Sequence, residues 1–169
     1  AQILTGNLNG TYNIICFTIA FALIPIARKL GAKRLHFISL AIGGSALLCM
    51  PLLNDTDLLF TLPFGSGIDV SQIYLFSFGL GITWASMMAM PYEMLAASIP
   101  HGKTGIYMGI FNMFIVVPMI IQIFSVQYFI YDLLDQNPIN IIRLAGIFLI
   151  IGGIFSLFVS QPKPNETLV

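Results

Sequence analysis

GIYMGIFNMFIVVPMIIQIFSVQYFIY, residues 105–131, contains no charged side chain. A helix that crosses a bilayer needs about 20 mostly apolar residues, each adding about 1.5 Å toward a hydrocarbon core about 30 Å thick. This run exceeds that length, and it lacks the apolar/polar alternation of a barrel strand. It reads as a membrane helix. Four other runs read the same way: about Asn7 to Ala27, Leu35 to Leu53, Val70 to Ala97 and Ile139 to Ser160. The third is long enough to tilt or to extend past the bilayer. The expectation is an all-α integral membrane protein, a single bundle of five transmembrane helices over residues 1–169, with the lipid bilayer as its surroundings.

Composition points the same way. Only 8% of the chain is charged, 57% is hydrophobic and the mean hydropathy is +0.92. A soluble domain carries about 25% charged residues, which it needs to cover a water-facing surface. Seven basic and seven acidic residues balance to zero, so nothing marks a nucleic-acid partner. Cys16 and Cys49 lie inside apolar runs and read as small hydrophobes. Their spacing supports neither a disulfide nor a metal site. The chain opens without Met or a basic region before its first apolar run, so no signal peptide is expected. Five helices are one short of a six-helix half, and the chain reads as cut from something longer.

The connections alternate in charge. Arg28, Lys29, Lys33 and Arg34 crowd the first; Asp55, Asp57 and Asp69 occupy the second, Asn54 to Asp69, which holds no base. His101 and Lys103 lie in the third, Asp132 and Asp135 in the fourth, and Lys163 and Glu166 in the tail. Lys and Arg near helix ends mark the cytoplasmic side. The expected orientation in the cell membrane has the N-terminus of this chain outside and the C-terminus in the cytoplasm. Arg143 alone among the bases lies toward the outer side, where it can snorkel. Pro63 and Gly65-Ser66-Gly67 break the long outer connection. Asn137-Pro138 opens the last helix, with Pro at a position where its missing N–H costs nothing.

Few residues can carry chemistry. Glu93 is the one acid well inside an expected helix, about 9 Å of helix rise from the cytoplasmic end. Intramembrane acids are expensive and mark ion or substrate sites, although Glu93 could equally pair with a loop base such as Lys103. Ser86, Ala89, Met90 and Ala97 stand at helical spacing from it, a mostly small face suited to a bundle interior. Asn112 is expected at similar depth on the next helix, able to face Glu93, where it would bond a ligand or Glu93 or serve as interhelical glue. Gly105 and Gly109, four apart, allow close helix contact there. Pro91 and Pro118 are candidates for helix breaks that gate or expose backbone, or for simple packing kinks. Trp84, near mid-helix, either packs in the core or offers a face for a sugar ring. Gln122, Tyr12 and Asn13 are candidates for a polar path or for helix contacts. His36 and His101, beside basic loops, read as solvated interface residues. No catalytic cluster or metal-ligand set is visible, so an enzyme is not expected.

One stretch resembles a known family. Gly81-Ile82-Thr83-Trp84-Ala85-Ser86, Met90-Pro91-Tyr92-Glu93-Met94-Leu95, Pro100-His101-Gly102-Lys103-Thr104-Gly105-Ile106-Tyr107-Met108-Gly109-Ile110-Phe111-Asn112 and Val116-Val117-Pro118 look like the tenth and eleventh helices of disaccharide–proton symporters of the major facilitator superfamily. The match covers residues 79–118; Arg28 to Arg34 resembles the superfamily's basic loop. The resemblance implies helices eight to twelve of twelve, a partial C-terminal six-helix bundle, with the N-terminal bundle of the same chain as partner. It implies transport of a small-molecule sugar such as maltose or sucrose by alternating access, with a proton or sodium as coupling ion and no cofactor. Trp84, Asn112 and Gln122 would line the cavity, and Glu93 would be a polar or protonatable site. Two departures stand out. Arg28 occupies the place where the superfamily's loop has an acid, and Met119 follows Pro118 where many sucrose carriers have Gln. The family's main coupling acids lie in the N-terminal half. Another solute on the same fold, or a non-transporting receptor or assembly subunit, remain as alternatives.

Overall fold

The computed structural model describes residues 2–63, 68–100 and 102–160. Five long helices dominate: α1 (Gln2–Leu30), α2 (Ala32–Cys49), α3 (Tyr74–Ala96), α4 (Thr104–Leu133) and α5 (Pro138–Ser156). A short 3-10 turn, Met50–Leu52, extends α2. Among the described residues, α1, α2, α4 and α5 are long and apolar enough to cross a membrane. The expectation of five such spans is met in these four. At 23 residues α3 has the length, but Tyr92, Glu93, Pro91 and several Ser, Thr and Gly residues make it more polar.

The reason for that polarity is position. Helix α3 packs between α1 and α2, and α2 in turn packs on α5, so the order across the slab is α1–α3–α2–α5. Between helices in lipid, small residues set how closely backbones approach. A Cβ on Gly43 would collide with the Thr83 side chain, and one on Gly79 with the Cβ of Ala46. One on Gly44 would lie 2.7 Å from the Gly146 carbonyl oxygen, and one on Gly81 2.8 Å from the Tyr12 carbonyl oxygen. These glycines are the contact points of α2 with α3, α2 with α5 and α1 with α3.

Hydroxyls tie the slab further. Ser77 Oγ donates to the Leu8 carbonyl of α1 at 3.1 Å, and Thr83 Oγ1 to the Ser39 carbonyl of α2 at 2.7 Å. Each such bond between membrane helices contributes about 0.6 kcal/mol. An apolar cluster of Leu23, Ala27, Ala32, Leu35, Ala85, Met90 and Met94 fills the end of the slab next to the first connection. Gly31 makes that connection sharp. Its φ of +83° is left-handed, and it joins α1 to α2 in a single residue. Beyond α5, Lys33 Nζ lies 3.5 Å from the Val159 carbonyl, so the basic loop and the end of α5 share one end of the slab.

The second connection is not the plain broken loop that Pro63 and its glycines suggest. It holds an antiparallel hairpin, β1 (Leu58–Leu62) with β2 (Ile68–Ser71), in which Thr61 faces Asp69 and Phe60 faces Val70. Val70, expected to start the third helix, belongs to β2, and α3 begins at Tyr74. Phe60, Thr61 and Val70 favour a strand over a helix start. Gly65-Ser66-Gly67 lie outside the described residues, as do His101, Lys163 and Glu166.

Helix α4 stands apart. None of its residues is buried. It runs without interruption through Pro118, as α3 does through Pro91, so neither proline breaks its helix. The irregularity in α4 comes later, as a π turn over Val126–Ile130. Asp135 and Gln136, both with φ above +50°, reverse the chain. Asn137 then caps α5, its Oδ1 accepting the Ile139 N–H at 3.0 Å, with Pro138 in the first turn.

Candidate functional site

The expected site residues lie on α3 and α4, and the structure joins those helices through a residue the sequence reading passed over. Tyr92 Oη donates to Asn112 Oδ1 at 2.6 Å, and the Tyr92 ring meets Phe111 edge-on at 5.0 Å. By depth Asn112 could face Glu93; its partner is instead the preceding residue, and the bond joins helix to helix. One residue along a helix is a turn of about 100°, enough to exchange which side chain reaches a neighbour. A tyrosine immediately before Glu93 in Met-Pro-Tyr-Glu was the available signal.

Glu93 is exposed, whereas Ser86 and Met90, grouped with it by spacing, are 0% and 2% exposed. The buried face of α3 therefore passes through Ser86, Met90 and Met94, and Glu93 lies at its edge. Trp84 is 42% exposed. It precedes Glu93 by nine residues, about two and a half turns, so the two project from opposite sides of α3. Gln122 is exposed on α4, as are Asn112 and Pro118. Arg28, Lys29 and Arg34 are exposed, and Lys33 is half-buried. Gly105 and Gly109 show no close helix contact: nothing lies within 4 Å of a Cβ added at either. Asn13 is satisfied within its own helix, donating to the Asn9 carbonyl at 2.7 Å.

The expectation for His36 is overturned. It is buried, and its Nδ1 lies 2.9 Å from Ser86 Oγ, a bond between α2 and α3. The sequence placed His36 beside a basic loop, but one helical turn past Gly31 already lies inside the slab. Ser86, fully buried, has no water to bond and takes the imidazole instead. Of the cysteines, Cys16 is half-buried and Cys49 is exposed.

The architecture defines a helical protein built for a bilayer, with four helices long and apolar enough to cross it. Comparison with protein-family models, with curated proteins and with solved structures returns no match.

Proposed function

We propose that the chain is the C-terminal part of a secondary transporter of the major facilitator type, moving a disaccharide with a proton by alternating access. The observation that carries this reading is the Tyr92–Asn112 bond. It joins α3 to α4 inside the stretch that resembles the symporters, while Trp84, Asn112 and Gln122 stay uncovered by the rest of the chain. Such a surface suits half of a cavity whose other half is a second bundle. Trp84 would stack on the sugar ring, and Asn112 and Gln122 would bond its hydroxyls. Glu93, on the other side of α3 from Trp84, would act as a protonatable group apart from the stacking face. The basic loop and the end of α5 would face the cytoplasm.

The test is uptake of radiolabelled maltose and sucrose by cells expressing the full-length protein, with and without a protonophore. The expected result is uptake that collapses with the proton gradient, and loss of its pH dependence in Glu93→Gln. Protein present in the membrane with no uptake of either sugar overturns the reading and favours another solute on the same helices.

A further inference from the structure

A cleft of about 730 Å³ opens at the end of the slab away from the basic loop, between α1, the hairpin and α3. It is remote from the α3–α4 contact at the other end of α3. Its floor is α1, where Gly6, Gly10 and Ile14 follow one another at four-residue spacing. Nothing lies within 4 Å of a Cβ added at Gly6 or Gly10, so the glycines leave a trough with no side chain in it. Gly6 and Gly10 lie about one turn, or about 6 Å, apart, and Ile14 bounds the trough one turn further on. Phe60 of the hairpin and Leu75 and Phe78 of α3 make apolar walls. Asp69 and Tyr74 supply the polar rim.

The rim carries one sign of charge. Asp69 is the carboxylate of the lining, and the connection that holds it contains Asp55 and Asp57 and no Lys or Arg. Asp69 Oδ1 accepts one bond, from Thr61 Oγ1 at 2.8 Å. A carboxylate has about four acceptor positions, so capacity remains for a cationic donor. The volume falls within the range of about 300–1,000 Å³ that encloses drug-sized ligands.

We propose that this cleft binds a single-chain cationic amphiphile, its ammonium head at Asp69 and its tail along the Gly6–Gly10 trough. The inference is independent of the transport reading and is tested by binding, without transport. The experiment measures tritiated dodecylamine on the full-length protein in phosphatidylcholine nanodiscs, with dodecyl sulfate and unlabelled dodecylamine as competitors. Saturable amine binding that dodecyl sulfate does not displace is expected. Gly10→Leu, which fills the trough, weakens it by about tenfold. Asp69→Asn weakens it by about fivefold, the worth of one partly exposed ion pair. Asp69 is itself exposed, so this variant tests the site even where Gly10→Leu lowers the yield of folded protein. Unchanged amine affinity in Asp69→Asn, unchanged affinity in a folded Gly10→Leu, or displacement by dodecyl sulfate as effective as by the amine itself each overturns the proposal.

Discussion

The slab α1–α3–α2–α5 and the helix α4 are made of similar residues, yet one is packed and the other is not. Both contain glycines in apolar surroundings. In the slab each contact glycine meets a specific atom of a neighbour, such as the Gly146 carbonyl for Gly44. On α4, Gly105 and Gly109 meet nothing. The slab also carries the buried polar side chains Ser77, Thr83, Ser86 and His36, each bonded across a helix interface. Helix α4 carries Asn112, bonded to Tyr92 at an exposed position. In a bilayer, apolar surface gains little by leaving lipid, so shape and hydrogen bonds decide which helices pack. The difference between the two regions is therefore one of complementarity, not of hydropathy.

The comparison can be broken most directly at the glycines. Gly44→Leu forces a side chain against the Gly146 carbonyl and Ile150, and overpacking of this kind costs about 1–3 kcal/mol. It should lower the yield and the melting temperature of detergent-solubilised protein, measured by size-exclusion chromatography after heating. Gly109→Leu should leave both unchanged. Equal damage from the two would mean that α4 is as tightly held as the slab.

A smaller effect is expected at the buried bond. Ser86→Ala leaves the His36 imidazole with one partner fewer in an apolar setting, costing about 1 kcal/mol. The same melting assay should show a reproducible fall. A stability equal to the parent's would show that the 2.9 Å bond does not tie α2 to α3.

The smallest effect sharpens the contrast. Tyr92→Phe keeps the ring against Phe111 and removes only the hydroxyl that reaches Asn112. Amide hydrogen exchange should quicken along the first turns of α4 and stay constant in α2 and α5. Faster exchange throughout would mean that α4 contributes to the stability of the slab.

Much of this arrangement was legible in the residues. The uncharged run 105–131 and its counterparts locate the helices, since nothing but a helix satisfies its own backbone in hydrocarbon. Asn137-Pro138 marks the start of α5 as a cap followed by proline. The hairpin was hidden because Pro63 and the glycines signal a break without saying which strands flank it. Tyr92 was hidden because spacing ranks an acid above a phenol as the polar partner, while the rotation of α3 brings the phenol to α4. His36 was hidden because proximity to a basic loop says nothing of depth once a single-residue turn, at Gly31, joins two helices.

By itself, the sequence determined that this chain forms long apolar helices, the order in which they follow one another, and that the basic and acidic connections alternate. These follow from run length and from the cost of burying charge in hydrocarbon. Only the tertiary structure decided that α3 lies between two neighbours, that His36 is buried against Ser86, and that α4 meets α3 through Tyr92. The physical reason is that a membrane helix is apolar on the sides that face lipid and on those that face protein. Hydropathy cannot tell these sides apart, and the fit of small residues and hydroxyls across helices settles which side is which.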